Sequence, residues 1–381
     1  MKASLTLIDK SLKLLRYPPQ LQHPSWQAWD AADEYIIEYV QALPSLSAST
    51  RLRIYNDDFG ALACWFVDYP TTWISDSFVA HQSCLMNLAS NNLNANNIRF
   101  VDSLDRIDNP CDLVLIKIPK TTALLEQQLI DLQAVVTPDT QVIAAGKMLA
   151  IQKSTLALFE KYLGPTTTSL AKKKARLIFC QPTGKLSHTS PYPTRWLTEN
   201  PQFELSNHAN VFSRQQLDIG ARFMLQHLPK VGKQRLVDLG CGNGVLGLHV
   251  LHKNPDAHVI FVDESYMAVA SAKENIKNNL PEALERSDFI VGNCLEEFLT
   301  DSKQSSVDFV LCNPPFHQQN TITDHIAMQM FSDAKKALSN GGELIIVGNR
   351  HLDYPNKLKR MFKSVNHAAN NQKFSIFIAR K

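Results

Sequence analysis

The chain has no apolar run approaching the roughly 20 residues that span a bilayer. Its first sixteen residues set Lys2, Lys10, Lys13 and Arg16 in or beside each apolar stretch, so the uninterrupted core of a signal peptide is missing. Close cysteine pairs are missing too. The seven cysteines, Cys64, Cys84, Cys111, Cys180, Cys241, Cys294 and Cys312, stand singly, which excludes zinc-binding and redox-dithiol spacings and leaves no metal expected. A reducing cytoplasm is the expected compartment. There is little net charge: 39 Lys and Arg against 36 Asp and Glu give +3, compatible with a nucleic acid partner without requiring one. With 381 residues, 44% hydrophobic and 20% charged, the composition is that of a folded chain with room for two domains. Nothing in it calls for a membrane or an obligate protein partner.

Apolar strand-like runs alternate with segments of helical period, predicting an α/β chain with mainly parallel sheets. The punctuation of those runs repeats. VIFVDESYMAVASAKENIKNNL ends a strand in Asp263 and a helix in Asn278-Asn279-Leu280; WISDSFVAHQSCLMNLASNNL offers Asp76 and Asn91-Asn92-Leu93 at the same separation. Further on, Val307 to Phe316 faces Cys111 to Lys120, Glu343 to Asn349 faces Gln141 to Lys147, and Phe374 to Ala379 faces Ala175 to Cys180. Order kept over so many elements predicts two copies of one fold. The first is placed at residues 1–185 and the second at 204–381, with a linker rich in proline, serine and threonine at 186–203.

In the second copy, Leu236-Val237-Asp238-Leu239-Gly240-Cys241-Gly242-Asn243-Gly244 reads as a strand, a glycine-rich turn and a helix start. Gly240, Gly242 and Gly244 allow a tight turn and close approach of backbone to ligand. Asp263, closing the next strand, is placed to accept both ribose hydroxyls of a nucleoside. Gly242, Gly244 and Gly247 also satisfy the dinucleotide fingerprint, so this segment alone leaves a dinucleotide open. Asp238, able to meet a methionine ammonium, favours S-adenosylmethionine. Asn293, after a third strand, is a candidate contact to adenine or an ordinary turn residue.

Asn313-Pro314-Pro315-Phe316 carries the most specific chemistry. An exocyclic amino group on a base is a poor nucleophile because its lone pair is delocalised into the ring. The Asn313 side-chain oxygen and the Pro314 carbonyl can accept its two N–H groups, the prolines fix the loop, and Phe316 can stack on the base. Neither a nucleophilic side chain nor a metal is required, because the methyl donor is already activated.

With Asn-Pro-Pro-Phe-His-Gln-Gln at 313–319, Asn-His-Ala-Asn-Val-Phe-Ser-Arg at 207–214 and Asn-Arg-His-Leu-Asp-Tyr at 349–354, the chain resembles the bacterial ribosomal RNA guanine-N2 methyltransferases over essentially its whole length. It is most similar to their large-subunit branch. The resemblance implies two tandem Rossmann-like class I methyltransferase folds from an internal duplication, the first degenerate. It also implies S-adenosylmethionine as cofactor and a guanine of 23S ribosomal RNA as substrate. A 16S substrate, a protein glutamine methyltransferase and a non-catalytic RNA-binding assembly factor are the alternatives; the duplicated first half speaks against the glutamine enzyme.

The first copy keeps one glycine, Gly60, in its turn Ile54 to Leu62, and sets Lys117-Ile118-Pro119-Lys120 where the second has Asn313 to Phe316. Close approach for a cofactor and an acceptor for a base are both lost. Lys117, Lys120, Lys172, Lys173, Lys174 and Arg176 are instead candidates for RNA phosphates, with a solvated face as the equal alternative for the lysine run. Arg214 and Arg350 are further RNA candidates beside the second copy. Ser213 and Gln216 form an expected capping box, with Phe212 and Leu217 as its hydrophobic staple.

Overall fold

A computed structural model describes residues 3–20, 26–106, 108–184, 186–301, 306–315 and 321–381, the side chains of 321–324 excepted. The chain divides into two compact units, Met1–Pro191 and Tyr192–Lys381. Each is built on a seven-stranded sheet. In the first, the strands run edge to edge as Ile98–Asp102, Thr71–Ser75, Leu52–Tyr55, Leu113–Lys117, Gln141–Lys147, Ala175–Cys180 and Thr166–Thr168. In the second, the order is Ser287–Val291, His258–Asp263, Arg235–Leu239, Val307–Cys312, Leu338–Asn349, Phe374–Arg380 and Ser364–Asn370. Five strands are parallel in each; the last two of each list join antiparallel. Valine, isoleucine and leucine fill the central strands on both faces, as helix-covered parallel sheets require. Two buried apolar clusters accordingly flank the sheet of each unit.

The duplication is therefore a property of the fold, but one stretch of its register differs from the sequence expectation. Tyr55 pairs with Ile74 and Ile116; Leu239 pairs with Val262 and Cys312. The match of Asn313 with Lys117 follows directly. Ser77 and Ser265 are equivalent helix caps, each accepting the N–H of the residue three further on at 3.1 Å. That equivalence sets Asp263 against Ser75 and Glu264 against Asp76, one residue from the match made on the aspartates and the Asn-Asn-Leu ends. Capping geometry fixes where each helix begins, whereas similar letters at the helix ends misled by one step.

A second device is duplicated. On the helix Tyr266–Asn279, Ser271, Asn275 and Asn279 lie one turn apart and pair with an extended segment as a neighbouring strand would. The Asn275 amide accepts the Ser206 N–H at 2.7 Å and donates to the Ser206 carbonyl at 3.0 Å; Asn279 does the same with Glu204, and Ser271 Oγ accepts the His208 N–H. On the helix Phe78–Ser90 and its cap, Asn87, Asn91 and Ser83 hold Leu15, Lys13 and Tyr17 in the same way. Each central asparagine also donates to the glycine-turn region, Asn275 to the Asn243 carbonyl and Asn87 to the Phe59 carbonyl, both at 2.9 Å.

The segment expected as a linker is divided between the units. The His188 N–H donates to Gln133 Oε1 at 2.8 Å in the first, while Thr194–Leu197 pairs antiparallel with Glu204–Asn207 in the second. Proline and polar residues obscured this short strand, whose partner lies across only a tight connection.

Asn87 and Asn275 are fully buried. Replacing either by alanine strands a main-chain donor and acceptor in the interior, so Asn87→Ala and Asn275→Ala should each lower unfolding free energy by about 1–3 kcal/mol. Urea denaturation followed by circular dichroism measures it.

Candidate active site

The C-terminal ends of the parallel strands bring the glycine turn, Asp263, Asn293 and Asn313 to one edge of the second sheet, beside the point where strand order reverses. Such a switch point opens a crevice in doubly wound folds. Gly240 and Gly242 hold φ of 72° and 54°, conformations that burden any residue with a Cβ. A Cβ on Gly242 would meet no described atom within 4 Å, and one on Gly240 would meet only Met330 Cε, at 3.3 Å. Among the described residues, Gly242 thus faces open space, while Gly240 is closed on one side by Met330. Gly244 is different: a Cβ there would lie 2.8 Å from Ala272 Cβ, so this glycine serves helix packing rather than approach to a ligand.

The turn is held from several sides. Asp263 accepts the Gly242 N–H through Oδ2 at 2.9 Å and the Ser265 N–H through Oδ1 at 3.0 Å. Asp238, 1% exposed, accepts the Gly247 N–H at 2.9 Å, and burial pushes its carboxyl up to about 7. Through Oδ2 it braces the turn from beneath. Asn243 donates to Asn207 Oδ1 at 2.8 Å, and Asn275 holds the Asn243 carbonyl. Asn293 is nearly buried; its N–H and amide donate to Glu297 and Glu296 at 2.9 and 3.0 Å. Asn207, Asn243 and Asn275 are structural members of this site that sequence reasoning missed. The Asn-His-Ala-Asn stretch and the Asn-Asn helix end were visible, but their partners lie far along the chain.

Asn313 follows the strand that pairs with Leu239, next to the glycine turn. Its amide Nδ2 donates to Asp218 Oδ2 at 3.2 Å. Its Oδ1 is buried and meets no hydrogen-bond partner among the described residues. A buried acceptor without a donor costs roughly 1–3 kcal/mol and calls for an explanation. Pro314 is buried and Pro315 exposed; Phe316 lies outside the described residues. Asp218 was also missed. Ser213, expected as the cap, has φ 54° and donates from Oγ to the Gln216 carbonyl, Phe212 is exposed, and the cap of the helix Ile219–Leu225 is Asp218, which accepts the Ala221 N–H. The pattern Ser-x-x-Gln imitated a helix start one turn too early.

In the first unit the equivalent ground is filled from within. Asn56 and Asp58 stand for Gly240 and Gly242, while Gly60 stands for Gly244 with the same packing demand, a Cβ there lying 2.6 Å from Cys84 Cα. Asp57 takes over the bracing done by Asp238, accepting the Ala63 N–H at 2.9 Å. Lys117 is buried, 2.7 Å from Asp33 and 3.0 Å from Asp30. Burial pushes the Asp33 carboxyl up to about 7 despite that cation, because Asp30 and Asp57 add negative charge nearby.

The expected phosphate contacts change accordingly. Lys117 is no surface charge, because its buried ammonium is paired with Asp30 and Asp33. Lys172, Lys173 and Lys174 form a tight hairpin tip in which Lys172 pairs with Glu38 and Lys173 with Glu34. Lys120, Lys174 and Arg350 are exposed. Arg176 is half-buried, and Arg214 lies over the Tyr192 ring at 5.7 Å, so neither presents a simple surface charge. Among the described residues, no group of three His, Cys, Asp or Glu side chains could hold a metal ion, and no helix is long and apolar enough to cross a membrane.

Paired seven-stranded sheets with a glycine turn at the switch point define a duplicated Rossmann-like methyltransferase fold. A solved structure described as T. thermophilus 16S rRNA N2 G1207 methyltransferase (RsmC) in complex with AdoMet and guanosine shares it, with a TM-score of 0.79 at 18% identity over 100% of this chain and 99% of that one. Residues 2–184 match the family described as RLMG N-terminal domain, and 202–378 match the methyltransferase small domain. The ribosomal RNA large subunit methyltransferase G of Pseudoalteromonas atlantica is 62% identical over the full length of both chains, and that of Aeromonas salmonicida 54% over 99% of each. The chain belongs to the ribosomal RNA large subunit methyltransferase G family.

Lys117→Met should destabilise the first unit by about 3–5 kcal/mol at pH 8, the usual cost of stranding buried charge. The deficit should shrink toward pH 5, below the raised value of Asp33, where that carboxyl takes up a proton. In the unaltered protein the raised Asp33 carboxyl binds a proton that the unfolded chain has released above about pH 4. Its contribution to stability therefore falls as pH rises from about 4 through about 7. Denaturant titrations at the two pH values measure both effects.

Proposed function

We propose that the chain transfers a methyl group from S-adenosylmethionine to the exocyclic N2 of a guanine in 23S ribosomal RNA, acting in the cytoplasm. The observation that carries this reading is the buried Asn313 Oδ1, without a hydrogen-bond partner among the described residues, on the strand end beside the glycine turn that is open at Gly242. The positive-φ turn, open at Gly242, fits a nucleoside cofactor, with Asp263 and Asn293 at the adjoining strand ends to hold its ribose and adenine. That cofactor supplies an electrophilic methyl group.

The protein's part is to present a lone pair. Asn313 Oδ1 and the Pro314 carbonyl accept the two amino protons, drawing nitrogen out of conjugation with the ring and aiming its lone pair along the line of transfer. The guanine must be unpaired or extruded, because a base-paired amino group cannot reach the crevice. The relatives named for the large ribosomal subunit favour 23S RNA. Exposed Lys120, Lys174 and Arg350 are the remaining candidates for its phosphates.

Incubation with labelled cofactor and unmodified 23S RNA, followed by nucleoside mass spectrometry, should yield N2-methylguanosine. Label in N6-methyladenosine or N4-methylcytidine would overturn the choice of base, and label on protein glutamine the substrate class. Asn313→Ala should cut turnover by roughly a hundredfold while cofactor affinity holds. Asp263→Ala should weaken cofactor binding by about 1–3 kcal/mol. Calorimetry beside turnover separates the two.

A further inference from the structure

The oxygen of Asn313 can serve only if its amide is turned the right way, and the structure shows what turns it. We infer that Asp218 is a positioning residue that locks the Asn313 amide with its NH2 group inward and Oδ1 toward the crevice. The inference rests on the reading of Asn313 given above and adds to it the residue that orients that side chain.

A carboxylate has no proton to give, so an asparagine facing it must present its nitrogen. Asp218 Oδ2 accepts Asn313 Nδ2 at 3.2 Å, and the same oxygen accepts the Ala221 N–H at 2.9 Å. The second bond anchors the carboxylate to the start of the helix Ile219–Leu225 and prevents it from following Asn313 if the amide rotates. With Asp218 in place, the reversed amide would set oxygen against oxygen. Without it, Asn313 could turn its NH2 toward the incoming amino group, donor against donor.

The first unit holds the same arrangement with different chemistry. Asp30 caps the helix Ala31–Gln41, its Oδ1 accepting the Ala32 N–H at 2.9 Å and the Lys117 ammonium at 3.0 Å. Lys117 is the counterpart of Asn313. In both units a cap aspartate reaches across to the residue at the C-terminal end of the fourth parallel strand, Lys117 closing it and Asn313 just beyond it, and selects its polar end. In one the held group is a cation with nothing left to offer. In the other it is an amide whose remaining atom is an acceptor.

The test is a cycle of Asp218→Ser, Asn313→Ala and the double variant in the full chain. Serine preserves the helix cap but is too short to reach Asn313. Asp218→Ser should lower kcat by about tenfold or more, as loss of one oriented acceptor does. Cofactor Kd and melting temperature should remain near those of the unaltered protein. Because Asp218 acts through Asn313, the double variant should turn over no more slowly than Asn313→Ala alone. Asp218→Asn, which caps the helix but no longer dictates the direction of the facing amide, should also lose kcat. Wild-type kcat in Asp218→Ser beside an impaired Asn313→Ala would overturn the positioning role alone. So would losses that multiply in the double variant. Wild-type turnover in Asn313→Ala would bring down the site reading itself, and this inference with it.

Discussion

Asn275 joins three parts of the chain at once: the extended segment at Ser206, the helix that carries the residue, and the glycine turn at Asn243. A single planar amide can do this because it offers an acceptor on one side and two donors on the other, enough to imitate one rung of a sheet and still reach a further carbonyl. The position of the turn relative to the sheet depends on that rung. Asp263 holds the turn from the next strand, Asp238 from beneath, and Asn207 by way of Asn243. A pliable loop is thereby fixed by polar contacts that are buried and specific, leaving its exposed edge clear.

The two units show how one scaffold separates folding from chemistry. In the first, the bracing and laddering survive through Asp57, Asn87 and Gly60, while the ground in front of the turn is occupied by Lys117 and the carboxylates around it. The parts retained are those that the interior requires, and the parts replaced face the crevice. Burying carboxylates is costly even beside a cation, and burial with Asp30 and Asp57 nearby pushes the Asp33 carboxyl up to about 7.

Much of this was legible in the sequence. Alternating apolar runs gave the sheets, and the glycine turn and Asn-Pro-Pro gave the crevice, because these signals are local. What escaped were relations between distant residues. Asp218 is an ordinary cap until Asn313 is seen opposite, and Lys117 looks like a surface cation until the helix carrying Asp33 folds over it. The repeat was visible, yet its register slipped by one between strand and helix, because composition matched in two alignments and only the capping hydrogen bonds distinguished them. Ser213 failed for the opposite reason: its local pattern was good, but the chain turns there without starting a helix.

Gly60 and Gly244 are kept for the same cause in two units of different fate, while Gly240 and Gly242 have a counterpart of another type in the first unit. Glycines in such a turn thus answer to two masters, neighbouring side-chain volume for one and, on the function proposed above, an approaching ligand for the others. Counting them measures neither. Among duplicated or decayed relatives, the residue at the position of Gly60 reports whether the scaffold is intact, and the pair at Asn56 and Asp58 reports whether the pocket is still in use. A retired copy can therefore be told from a working one by which glycines are absent, even where the total is the same.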